Sequence, residues 1–229
     1  MKQIPLAIGP DPLPTFDTYL ADANAAAVAH LRALDAGAAP VYLWGPPGSG
    51  KSHLLRALVH QRQAVGELAG SFDADDAAPW QLQPGWTLVV VDRCEALDAE
   101  RQHAAFALFV QAADAGVSWA AAGSVPPVDL ALRDDLRTRL AWGHVFALQA
   151  CSESEARAAL RREADRRGIL LADEVIDYLL RRAARDLGTL MQLLDRIDRF
   201  ALAQQRSVTV PLLRQVLHDD AVVEAGATP

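Results

Sequence analysis

Residues 40–61 read PVYLWGPPGSGKSHLLRALVHQ. The apolar run VYLW leads into a loop whose glycines and prolines cannot continue a strand, and the loop ends in a run with helical periodicity. Strand, glycine-rich turn and helix in that order are the context in which G-x-x-x-x-G-K-[ST] works as a phosphate-binding loop. In residues 45–52, GPPGSGKS, backbone N–H groups turn inward around phosphate oxygens, and the helix N-terminus adds its partial positive charge. Gly45, Pro46, Pro47, Gly48, Ser49, Gly50, Lys51 and Ser52 are the expected nucleotide contacts. Lys51 is expected to reach the terminal phosphates and Ser52 a magnesium ion. His53, next in the helix, joins this set and reads as structural rather than catalytic.

Outward from the loop, strands and helices alternate. TLVVVD (87–92) is a second buried strand, VSWAAAG (117–123) a third and HVFALQ (144–149) a fourth. A helical pattern covers Phe16 to about Leu34, and AERQHAAFALFVQAADAG is a helix with its stop signal at Gly116. The expectation for 15–150 is an α/β domain, a P-loop parallel sheet flanked by helices. After Ala150 the period changes. SESE (152–155) is a capping-box signature opening a helix to about Arg167. DEVIDYLLRRAA, a long helix from an Asp186 N-cap through Ala203, and VPLLRQVLHD with Pro211 in its first turn complete a small all-helical lid domain, 151–229. At the other end, GPDPLP (9–14) is an extended tether, so 1–14 reads as a short apolar peptide, QIPLAI, on a leash.

Asp92 closes its strand where a P-loop protein places the carboxylate that orients the metal. A second carboxylate normally follows to polarise the attacking water. Here Arg93 follows, which can neither accept a proton nor orient water as a carboxylate does. Glu95 stands two residues further on.

With 229 residues the chain is long enough for one large domain or two modest ones. Its net charge of −7 and pI near 5.3 argue against a protein whose main task is gripping DNA phosphates. Two cysteines, Cys94 and Cys151, without a CxxC, point to a reducing cytosol. The N-terminus lacks a signal-peptide core, and no apolar run is long enough to span a membrane, so a soluble cytoplasmic protein is expected. The histidines and cysteines have no metal-ligand spacing. Trp44 and Trp142 read as packing residues at strand ends. The lid arginines 161, 162, 166, 167, 181, 182 and 185 read as a solvated face.

The loop GPPGSGKS, the strand VVVDR, the strand end AAGSVPP and LRTRLAWG (136–143) ahead of a helical lid resemble the AAA+ ATPases of the DnaA branch. Within it they resemble the DnaA-related regulatory inactivators, over essentially the whole chain. DnaA itself ends in a helix-turn-helix DNA-binding domain, whereas this chain ends after the lid, so DNA is expected only as an indirect partner. LRTRL resembles the segment that supplies an arginine finger, which places that role on Arg139, acting in trans. The alternative is that Arg139 pairs with Asp134 or Asp135 on its own surface. QIPLAI resembles the Q-L-x-L-x-[LF] peptides that bind the DNA polymerase III β sliding clamp. Gln3 would sit at the pocket rim, Ile4 would stand for the commoner Leu, and Leu6 and Ile8 would fill the groove.

The resemblance also implies a lid arginine near the phosphates, but the matching position is Gly188; Arg185 is the candidate substitute. The polar sensor position after the third strand falls on Ser124, where Asp is usual. With Arg93, three groups that would read or cleave a γ-phosphate are altered. The expected ligand is therefore a nucleoside diphosphate, ADP, with Mg²⁺, and the chain a poor ATPase. Phe16 to Asn24 resembles the segment that lies against adenine. The implied function is regulation of replication initiation. With the DNA-loaded clamp, the chain would promote hydrolysis of ATP bound to DnaA, and a homodimer is an assembly that would hide Arg139 or the clamp peptide. The competing expectations are an autonomous AAA+ ATPase or loader that depends on Asp92 and Glu95, and a DNA-binding adaptor, which the acidic charge disfavours.

Overall fold

The computed structural model describes residues 14–19, 22–182, 187–204 and 208–213. Gln3, Ile4, Leu6 and Ile8 of the clamp-binding peptide, and Arg185, lie outside the described residues. The chain divides between Ala150 and Cys151 into two compact units.

The first unit is built on one parallel sheet of five strands: β1 (Val41–Trp44), β2 (Leu68–Phe72), β3 (Trp86–Val91), β4 (Ser118–Gly123) and β5 (His144–Ala147). Their order is β2-β3-β4-β1-β5. β4 therefore lies between the strand that feeds the phosphate loop and the strand that ends at Asp92. Alternate residues supply two separate cores, as a sheet buried on both faces requires. Val41, Leu43, Leu88, Val90, Ala120 and Ala122 pack with α1 (Ala25–Arg32) and α2 (Lys51–Ala64). Tyr42, Val89, Val91, Trp119 and Ala121 pack with α3 (Ala99–Asp114) and α4 (Asp134–Ala141). Small residues in β4 let helices approach both faces; the exception, Trp119, meets Phe109 of α3 edge-on at 5.1 Å.

Two sequence expectations need correction. The sequence reading has four strands, and the sheet has a fifth, the edge strand β2 between α2 and β3. LAGSF lacks the β-branched signal of a strand, and the reason is packing. The Trp86 ring of β3 lies where a side chain at Gly70 would be, with a Cβ there only 2.2 Å from a ring carbon. The helical pattern from Phe16 to Leu34 breaks into 3₁₀ turns at Phe16–Thr18 and Asp22–Asn24 before α1 begins. The first turn opens on a Thr15/Thr18 capping box and ends at Tyr19, whose backbone turns extended with φ −86° and ψ 134°.

The second unit is helical: α5 (Glu153–Arg167), α6 (Asp173–Arg182), α7 (Leu187–Gln204) and a turn at 210–213. The Ser152 side chain accepts from Glu155 N–H, and Glu155 Oε2 accepts from Ser152 N–H at 2.7 Å, the capping box read from the sequence. Leu160, Ile176, Leu179, Leu190, Leu194, Leu212 and Leu213 form its core. Arg167 bridges α5 to α7 through Glu163 and, at 2.8 Å, Asp195.

Candidate nucleotide site and the α4 arginine

The phosphate loop runs from the end of β1 to the start of α2. Gly50, the N-cap of α2, has φ +84°, and a Cβ there would meet Tyr19 Cε2 at 2.4 Å. Glycine is required both for the backbone turn and for the ring that lies against it. The Lys51 ammonium donates to the carbonyls of Gly45 at 2.7 Å and Pro46 at 3.0 Å, which folds its chain back along the loop. Burial pulls the Lys51 pKa below its usual value, while the nearby charges of Glu95 and Asp92 oppose that pull. Among the described residues the buried Ser49 Oγ has no hydrogen-bond partner. A half-buried lysine, an orphaned hydroxyl and a glycine-lined cradle at a helix N-terminus suit a polyphosphate.

The segment before α1 straps the loop in place. Tyr19 Oη donates to the Ser49 carbonyl at 2.8 Å, and Asn24 Nδ2 donates to Tyr19 Oη at 2.8 Å and to the Gln149 carbonyl at 3.0 Å. Asn24 Oδ1 in turn accepts from Gln149 N–H at 2.9 Å. A single buried asparagine thus ties the strap, the phosphate loop and the end of the sheet together. His53 Nε2 donates to the Thr15 carbonyl at 2.8 Å, so this ring joins the strap to α2, in keeping with its structural reading. Tyr19 and Asn24 had no motif to announce them.

At the end of β3, Asp92 Oδ1 accepts from Arg93 N–H at 2.8 Å. Arg93 takes a left-handed backbone, φ +51°, and its guanidinium pairs with Asp73 at 2.9 Å and with Asp75. Its role is to hold the loop that follows β2. Glu95 points elsewhere. Its Oε2 accepts from Ser124 N–H at 3.1 Å, joining the segment after β3 to the residue that follows β4. Asp92 and Glu95 both act on the Lys51 charge. Among the described residues no three His, Cys, Asp or Glu side chains form a metal cage; Mg²⁺ beside phosphates needs one or two protein oxygens, which Ser52 and Asp92 would supply. Gly188 lies in the first turn of α7.

Arg139 stands apart on α4. Asp134 pairs with Arg137 at 2.5 Å and Asp135 with Arg133 at 2.7 Å, so both carboxylates it was expected to compete for are taken. Among the described residues Arg139 has neither an ion pair nor a hydrogen bond through its guanidinium. Its Cζ lies 5.9 Å from the ring centroids of Phe109 and Trp142. Trp44 packs against the core as expected, but Trp142 does not: it is 67% exposed. It is the C-cap residue of α4.

Comparison with known proteins places this geometry. The Thermotoga maritima replication initiation protein DnaA, domain III, has a TM-score of 0.73 at 19% identity, over 91% of this chain and 98% of that one. AMPPCP-bound DnaA from Aquifex aeolicus gives 0.64 at 22%, over 81% and 66%. An uncharacterized protein of Haemophilus influenzae is 30% identical over 95% of this chain and 99% of its own length. Residues 153–217 match the family described as Hda, lid domain. The parallel sheet, phosphate loop and helical lid define an AAA+ protein of the DnaA type. Within that class the chain belongs to the Hda-like, DnaA-related proteins.

Proposed function

We propose that this chain is a regulator of replication initiation that supplies Arg139 in trans to ATP held by DnaA, promoting hydrolysis there while holding ADP and Mg²⁺ itself. The observation that carries the reading is the state of α4. Arg137 of the helix and its N-cap residue Arg133 are neutralised by the helix's own aspartates, and among the described residues Arg139 is left for a partner's phosphates. A finger stabilises charge on a transferring phosphoryl group, and its loss typically costs about 10³–10⁵ in rate. Arg93 fits the same reading, because an arginine tied to Asp73 and Asp75 contributes nothing to cleaving this chain's own nucleotide. The Lys51 cradle would hold the diphosphate, and the segment from Phe16 to Asn24 would lie against the base. Gln3, Ile4, Leu6 and Ile8 would tether the protein to the DNA polymerase III β sliding clamp, leaving DNA an indirect partner.

The test is single-turnover hydrolysis of ATP pre-bound to DnaA in the presence of DNA-loaded clamp, with wild type and Arg139→Ala. Acceleration by wild type and none by the variant is the expected result; equal acceleration by both removes the finger from Arg139. A second reading, an autonomous ATPase, draws on Glu95, whose carboxylate accepts from Ser124 N–H and whose charge favours the charged form of Lys51. It predicts steady-state turnover by the isolated protein that is lost in Glu95→Gln.

A further inference from the structure

We propose that Trp142 is the positioning residue for Arg139 and the apolar anchor of the face that α4 offers to a nucleotide-loaded partner. The proposal rests on the function inferred above and adds to it a second residue, a surface and the chemistry of what the surface meets.

Trp142 follows Arg139 by three positions and its N–H donates to the Arg139 carbonyl at 3.3 Å, so both side chains leave the helix on the same side. The indole and the ring of Phe109 flank the guanidinium at the same 5.9 Å. Phe109 is buried in the core and cannot move, whereas Trp142 is largely exposed. Around them lies an open recess of about 490 Å³ lined by Phe106, Asp134, Asp135, Thr138, Arg139 and Trp142. Because the two aspartates are already matched by Arg137 and Arg133, the recess presents one uncompensated guanidinium beside bare aromatic surface.

That combination determines the partner's chemistry. An unpaired cation seeks an anion, and an exposed indole seeks a desolvated apolar neighbour; the rim of a bound nucleoside triphosphate on another AAA+ protein offers both. Exposed arginine is rotamer-rich, and the aromatic seat restricts it without the strong bond a carboxylate would form. The finger is held in direction yet free to transfer to phosphate. Tryptophan and arginine are the residue types that most often dominate an interface when water is excluded around them.

The experiment titrates the protein into the single-turnover assay on ATP-loaded DnaA with DNA-loaded clamp, using wild type, Arg139→Ala, Trp142→Ala and Trp142→Phe. Trp142→Ala should raise the half-saturating concentration about tenfold or more and lower the maximal rate, while Trp142→Phe, which keeps a ring, recovers most of both. In parallel, NMR of the arginine Nε–H groups is recorded on the protein alone. The ring-shifted Arg139 resonance should move toward the position of a free side chain in Trp142→Ala and stay near its wild-type position in Trp142→Phe. If Arg139→Ala is inactive but Trp142→Ala matches wild type, the finger stands and the present proposal falls. Should the wild type itself give no acceleration, the functional reading fails and the docking role fails with it. An Arg139 resonance unmoved by Trp142→Ala overturns the seat whatever the kinetics. Equal half-saturating concentrations with a slower rate would confine Trp142 to positioning and overturn its anchoring role.

Discussion

Arg93 shows how one residue can look like a catalytic defect in the sequence and have a structural duty in the fold. Its backbone lies in the left-handed region, its N–H caps Asp92, and its guanidinium spans to Asp73 and Asp75. The side chain is 41% exposed, so screening limits the ion pairs to less than about 1 kcal/mol. Replacing Arg93 by aspartate restores the usual acidic pair on paper, but sets a third carboxylate against two others and directs it at the wrong loop. Arg93→Asp should therefore lower the urea midpoint slightly and create no ATPase. Arg93→Asn, which tolerates a positive φ, should stay close to wild type. Measurable turnover in Arg93→Asp would mean that position 93 does face the phosphates. At the cradle, Lys51 is the terminal-phosphate cation of the function proposed above, and Lys51→Ala removes it. ADP affinity by calorimetry should fall at least about a hundredfold, as loss of a desolvated charge partner costs several kcal/mol.

At the scale of elements, the sequence showed what periodicity and motifs encode and missed what a neighbour imposes. The phosphate loop, the strand leading to Asp92, α3 with its stop at Gly116 and the Ser152 capping box were all legible, because each carries its own local signal. Strand β2 was not, because Gly70 answers to the Trp86 ring on β3 rather than to strand propensity. Gly70→Ala should cost about 1–3 kcal/mol by overpacking, read from the unfolding midpoint, and Trp86→Leu in the same chain should return part of it. The strap was half legible: the sequence expected one long helix, whereas the fold needs Tyr19 and Asn24 turned inward. Asn24 is buried, bonded to both Tyr19 and Gln149. Asn24→Ala leaves the Gln149 N–H and carbonyl and the Tyr19 hydroxyl short of partners, at a cost of about 2–3 kcal/mol in thermal or urea unfolding. Tyr19→Phe removes the bond its hydroxyl donates to the Ser49 carbonyl and the one it accepts from Asn24, and should cost about 1–2 kcal/mol.

Across the whole molecule, each of the two units has its own core, and the helical one leans on charge pairs at its seams. Glu163 is the clearest. Hydrogen bonds from Arg166 and then, against the opposing effect of burial, from Arg167 hold its carboxyl down at about 2, from an ordinary value of 4.5. Arg167 also reaches Asp195, so this one carboxylate helps tie α5 to α7. Lowering of a carboxyl pKa by folding stabilises the fold in full above the unfolded value, and the stabilisation is lost as pH falls through the folded one. The window therefore runs from just above 4.5 down to about 2. Glu163→Gln keeps the shape and drops the charge, so it should melt below wild type at pH 6–7 by circular dichroism. The gap should narrow through pH 4 and close near pH 2, where wild type is itself protonated. A gap that stays constant across that range would mean the glutamate acts through packing, and that the arginines beside it contribute shape rather than charge.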